Sequence, residues 1–138
     1  FINIAGLPDA IVEFVNALDI PPIGVMLAIM AIYILLGTVF EGIGMILLTV
    51  PIFFPIVESL GFDLIWFGIV VIMVTEISLI TPPVGMNVFV LKSMLPDVSL
   101  WTIFRGIGPF FAADLMRLGL VVFFPPIALW LPSLMVRF

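Results

Sequence analysis

The chain has 138 residues, of which 64% are hydrophobic and only 9% charged, and its mean hydropathy is +1.48. A soluble domain carries about 25% charged residues, so this composition belongs to a membrane protein. Four Lys or Arg against nine Asp or Glu leave a net charge of -5, which offers no basic face for nucleic acid, and the lack of Cys and His removes disulfides, thiol chemistry and Cys- or His-ligated metals.

Residues 1–22 read as the end of a preceding element followed by an interfacial amphipathic arm. Pro8 favours a helix start, and Ile11, Phe14, Val15 and Leu18 share one stripe while Asp9 and Glu13 share another. The arm is too short to span. It is expected to lie in the interface plane and, being acidic, to pack on protein rather than on lipid headgroups. Pro21 and Pro22 end it.

Residues 23–57 hold two apolar stretches, Ile23–Leu36 and Met45–Val57, on either side of the segment GTVFEGIG at Gly37–Gly44. Each stretch falls short of the roughly 20 residues of a bilayer crossing. The pattern predicts a re-entrant helical hairpin whose tip is enclosed by protein, since irregular backbone is not left exposed to lipid. The alternative is one kinked span over 23–50. Pro51 and Pro55 are expected to bend the returning arm, Glu58–Asp63 to form a turn, and Trp66 to sit as an interfacial anchor.

Residues 66–95 are long enough to cross, yet Thr81-Pro82-Pro83-Val84-Gly85 interrupts them. A double proline followed by glycine cannot continue a regular helix, so the segment reads as a discontinuous transmembrane helix, with a merely kinked structural helix as the alternative. Residues 96–105 read as a loop in which Ser99 caps a short helix ending at Arg105. Residues 106–131 read as the final span, stopped by prolines, with Trp130 near the surface. Lys92 and Arg105 put the 96–105 loop on the cytoplasmic side, and Arg137 counts weakly against that orientation. The chain opens in apolar sequence and is small for a closed transport pathway, so upstream sequence or partner chains are expected.

An interrupted helix frees carbonyls at the end of its first half, here near Ser78–Thr81, and amides at the start of its second, here from Gly85. The carbonyls suit a cation and the amides a carboxylate. Thr81 adds a hydroxyl, Gly85 permits close approach, and Asn87 offers an amide in the first turn beyond the break. Gly37, Thr38 and Gly42 at the hairpin tip are expected to face the break at mid-membrane. The expected ion is Na⁺, held by neutral oxygens. Protons are the alternative, because Glu41 and Glu76 are ionisable and set in apolar sequence. Thr38 with Glu41 also fits a helix-capping pattern, and Glu76 reads more readily as a polar contact between helices. Asp114 and Arg117 stand at i and i+3 and are expected to neutralise each other, with a substrate-binding Arg117 as the sharper alternative. No phosphate loop, dinucleotide fingerprint or nucleophile arrangement is present, so the chain does not read as an enzyme.

Gly6-Leu7-Pro8, Gly37 through Glu41 leading into Pro51-Ile52-Phe53-Phe54-Pro55, Gly61-Phe62-Asp63 with Phe67-Gly68, Thr81-Pro82-Pro83-Val84-Gly85, Pro109-Phe110 and Leu131-Pro132 together carry a resemblance. With these motifs the chain resembles the C-terminal part of the large membrane subunit of tripartite ATP-independent periplasmic (TRAP) transporters. The resemblance implies an all-α integral membrane fold, half of an inverted-repeat elevator transporter, in a bacterial inner membrane. It implies sodium-coupled import of an organic acid, commonly a C4-dicarboxylate or sialic acid. The implied partners are the N-terminal remainder of the large subunit, a small four-helix membrane subunit and a periplasmic substrate-binding protein. Gly37, Thr38, Ser78, Thr81 and Gly85 would then surround Na⁺, with Glu41 an added ion-site candidate. Pro82, Pro83, Gly85 and Asn87 would be substrate contacts. A scaffold subunit without a ligand site and a proton-coupled transporter are the competing readings.

Overall fold

The computed structural model describes residues 6–82 and 85–135. Among the described residues there are seven helices and no strand: α1 (Leu7–Ala17), α2 (Pro22–Gly37), α3 (Gly42–Ser59), α4 (Leu64–Ile80), α5 (Met86–Met94), α6 (Leu100–Phe123) and α7 (Pro126–Met135). Two of them, α3 and α6, are long and apolar enough to cross a membrane, while α2, α4 and α7 are shorter apolar helices. Residues 1–5, Pro83, Val84 and Arg137 lie outside the described residues.

α4 is the central element, packing against α2, α3, α5, α6 and α7. Its sequence is apolar around most of its circumference, and Trp66, Phe67, Val70, Val71, Met73, Val74 and Ile77 are all buried. Val25, Met26, Ile29 and Tyr33 of α2, Ile56 and Val57 of α3, and Leu118, Val121 and Val122 of α6 complete the core. In a bilayer these contacts gain dispersion energy rather than release from water, so fit matters more than area.

Local chemistry sets the ends of these helices. Gly61 adopts a left-handed φ of 79°, which lets Phe62 N–H reach Val57 C=O at 3.2 Å and close α3 in a Schellman turn. Asp63 then caps α4, its Oδ1 accepting from Ile65 N–H at 2.8 Å and Trp66 N–H at 3.0 Å. Pro51 and Pro55 remain inside α3, each removing one ladder donor without ending the helix.

Four expectations are corrected. The amphipathic arm is helical and packs on α3, but Ile11, Val12 and Val15 make its contact face, and Phe14 points outward at 63% exposed with Leu18 also exposed. The i, i+1, i+4 set turns toward α3 instead of the 11/14/18 stripe.

α3 is longer than the Met45–Val57 stretch expected as a returning arm, because Gly42–Gly44 joins it once Glu41 caps it.

Trp66 is not an interfacial anchor. It is 1% exposed, and its Nε1–H donates to Val121 C=O at 2.8 Å. In an unbroken helix that carbonyl would accept from residue 125, which is proline and has no N–H. The indole supplies the missing donor and ties α4 to α6.

The final segment divides at Phe124 rather than running from 106 to 131. α6 starts at Leu100, where Thr102 N–H donates to Ser99 Oγ at 3.2 Å, and continues through Gly106, Gly108 and Pro109 to Phe123. Its packing on α4 and α5 outweighs the poor propensities of those three residues. Phe124 precedes Pro125 and is driven out of the helical region to φ -128°, ψ 68°. Pro126 then opens α7, which contains Pro132 instead of stopping there.

Candidate functional site

The turn between α2 and α3, the expected hairpin tip, meets the end of α4 at glycine. Gly37, the last residue of α2, lies so close to Ser78 that a methyl group on Gly37 would fall inside the Ser78 side chain. Gly42, the first residue of α3, stands against Thr75 one turn earlier, where a Cβ would lie 3.1 Å from Thr75 Cγ2. Two glycines at the tip thus receive two hydroxyl residues spaced i, i+3 on α4. Thr38, Thr75 and Ser78 are all buried.

The break follows within one turn. Thr81 caps α4 in an extended conformation, φ -82° and ψ 129°, as a residue before proline is driven to do. Its N–H donates to Ser78 C=O at 3.1 Å, and a continued helix would offer Leu79 C=O no donor, because residue 83 is proline and has no N–H. Gly85 is buried with φ 51°, a left-handed conformation, and begins α5. Its Cα packs on the backbone of the break, since a Cβ there would lie 3.3 Å from Thr81 O and 3.3 Å from Val88 Cγ2.

The hydroxyls share one electronic arrangement. Thr38 Oγ1–H donates to Leu35 C=O at 2.8 Å, Thr75 to Val71 at 2.8 Å, Ser78 to Thr75 at 2.6 Å and Thr81 to Ile77 at 2.7 Å. With each proton committed to the backbone, the oxygen presents lone pairs only. Hydroxyl oxygens in this state accept hydrogen bonds or meet a positive charge, and they do not suit an anion. No group of three or more acidic, His or Cys side chains that could hold a metal occurs among the described residues.

Gly37, Thr38, Ser78, Thr81 and Gly85 therefore lie on the tip, the end of α4 and the break. Glu41 is exposed. Its Oε1 accepts from Ile43 N–H at 3.0 Å and its Oε2 from Gly44 N–H at 2.9 Å, so both oxygens cap α3. The Thr38–Glu41 capping pattern takes a different form from the one expected. Thr38 bonds back into α2, and Glu41 is itself the cap of the helix that follows. Pro82 and Asn87 are exposed, and Pro83 lies outside the described residues.

Sequence reading missed Thr75. Its signal was the Thr75/Ser78 spacing, which places both on one face of a helix opposite the glycines of the tip.

Away from the break, Arg117 Nη2 lies 3.2 Å from Asp114 Oδ1 within α6 and 3.3 Å from Glu76 Oε2 on α4. The expected pairing of Asp114 with Arg117 is present, and Glu76 is the interhelical contact expected of it. Lys92 donates to Pro96 C=O and Val98 C=O, both at 2.7 Å, and folds the 95–99 loop onto the end of α5.

Residues 1–127 match the family model described as "Tripartite ATP-independent periplasmic transporter, DctM component". The chain is 35% identical over 127 residues to the C4-dicarboxylate TRAP transporter large permease protein DctM of Pseudomonas aeruginosa, covering 92% of this chain and 30% of that protein. It is 32% identical to the sialic acid TRAP transporter large permease protein SiaM of Vibrio cholerae, covering 93% and 30% respectively. It is 31% identical to the ectoine TRAP transporter large permease protein TeaC of Halomonas elongata, covering 99% and 32%. The chain thus spans about 30% of the length of these relatives. Its sequence, all-helical fold and apolar composition agree, and the chain belongs to the DctM family of TRAP transporter large permeases, which are transporters and not enzymes.

Proposed function

We propose that this chain supplies the re-entrant hairpin and interrupted helix of a sodium-coupled organic-acid importer working by an elevator movement. The observation that carries the reading is Gly37 seated on Ser78, one turn before the break. That contact makes the tip and the end of α4 one unit, so an ion held by the oxygens around Ser78 and Thr81 bears on both at once. Na⁺ is the proposed coupling ion, because the hydroxyl protons are already spent and acceptor oxygens remain. The cation offsets the cost of carrying a carboxylate through a medium of low dielectric. The amides at the start of α5, with Gly85, Asn87 and the two prolines, form the proposed substrate side of the break. Glu41 acts by holding the tip in shape.

The proposed assembly comprises the remainder of a large permease, a small membrane subunit and a periplasmic substrate-binding protein, in a bacterial inner membrane. The substrate is proposed as an organic acid and no more narrowly, since the relatives' names include a C4-dicarboxylate, sialic acid and ectoine. The test is uptake of such acids into vesicles holding the complete transporter, with and without an inward sodium gradient. Uptake indifferent to that gradient rejects the coupling. Gly85 and Thr81 variants that assemble normally and lose transport support a site, whereas variants that lose assembly support a scaffold.

A further inference from the structure

On α4, Ile65, Gly68, Ile72 and Glu76 follow one another at i, i+3, i+7 and i+11 and are all exposed. The stripe is apolar and carries a glycine where another backbone can approach closely, and it ends at a carboxylate. Beside it on α6 stand Asp114 and Arg117, reached through the Arg117–Glu76 contact at 3.3 Å. The side chains of Arg117, Glu76 and Asp114 are 51%, 59% and 31% exposed. Among the described residues, two carboxylates against one guanidinium leave the cluster one negative charge. Ionisable side chains on membrane-spanning helices almost always face the bundle interior or a water-filled cavity.

We infer that this face of α4 and α6 is a docking surface for a transmembrane helix bearing one cationic side chain, contributed by the remainder of the permease. Two observations select that occupant. The relatives are about three times as long as the segment matched here, since that segment is 30% of their length. The unbalanced negative charge calls for one positive partner. A glycine in an otherwise apolar stripe fits a helix packed at short range. The inference rests on the reading of the chain as part of a larger permease, but its test reads packing and not transport, so the two can fail separately.

A nitroxide attached at Ile72→Cys, in a complete permease otherwise free of cysteine, reports the surroundings directly. Dense protein packing predicts low collision rates with both oxygen and a water-soluble nickel chelate. High oxygen accessibility places the face in lipid, and high nickel accessibility places it in water. Either result overturns the inference.

The charge of the partner is read from folded yield after detergent extraction. With a cationic partner the cluster is neutral, so Asp114→Asn leaves an unbalanced positive charge and lowers the yield at least about ten-fold. Adding Arg117→Gln then restores neutrality and returns the yield to within about two-fold of the parent. With no cationic partner Asp114→Asn makes the cluster neutral and keeps the parent yield, which overturns the inference. If the deficit of a variant depends on exchanging Na⁺ for K⁺, an ion and not a helix fills the place, which overturns it as well.

Discussion

Gly37→Ala tests the contact on which the site depends. An added Cβ would lie 2.5 Å from Ser78 Cβ. Carbon atoms in good contact sit about 3.5–4.0 Å apart, so α2 and α4 must separate by about 1 Å or more. α2 and α4 are extensively packed, and Met26, Ile29 and Tyr33 of α2 are buried in the shared core, so the separation loosens the whole interface. Overpacking of this kind costs about 1–3 kcal/mol. Thermal unfolding of the purified permease is expected to shift down accordingly, and uptake to fall with it. Gly37→Ala combined with Ser78→Gly separates packing from chemistry. Removing the serine side chain clears the space, less about 1 kcal/mol for a glycine in a helix, so thermal stability recovers in large part. Uptake does not recover, because the Ser78 oxygen is gone. A neutral Gly37→Ala refutes the contact, and a double variant with full sodium-dependent uptake refutes a role for the Ser78 hydroxyl.

Thr81→Val keeps the shape and extended preference of the side chain but removes its oxygen, and is expected to raise the sodium concentration for half-maximal uptake about ten-fold while the melting temperature stays within experimental scatter. At Gly85 the left-handed φ of 51° predicts an order of tolerance in uptake and melting of Gly, then Asn, then Ala, then Val, with Ala costing about 1–2 kcal/mol. Trp66→Phe strips the donor from Val121 C=O, which no backbone N–H of Pro125 can replace, and is expected to destabilise by about 1–3 kcal/mol in chemical or thermal unfolding. Glu41→Gln retains one acceptor oxygen for the amides of Ile43 and Gly44, so uptake measured across pH is expected to keep its profile and at least about half its rate, whereas Glu41→Ala loses the cap and is expected to lower the melting temperature. A flattened pH profile in Glu41→Gln would assign that carboxylate to proton coupling.

What could be read from the sequence follows the range of the forces involved. Proline, glycine and capping chemistry act within four or five residues. The end of α2, the turn at Gly61, the cap at Ser99 and the interruption after Ile80 were therefore legible in one dimension, whereas the first turn of α3 was hidden in the Gly-rich segment that Glu41 caps. The same local logic applied at Pro125-Pro126 as at Pro82-Pro83, and the extended residues before them, Phe124 and Thr81, show it acting twice. Partner choice between helices was less legible, because a membrane sequence is apolar on nearly every face. Trp66 fits an interfacial belt by type and position. Only the missing donor at residue 125, 59 positions away, explains why its indole is buried on α6. In the same way, glycines at 37 and 42 are weak signals alone and become informative only beside Thr75 and Ser78, whose spacing matches a tip that lacks side chains. Small residues facing hydroxyl residues are thus the pattern that locates close backbone approach in this chain, since composition alone cannot distinguish a lipid-facing surface from a packed one.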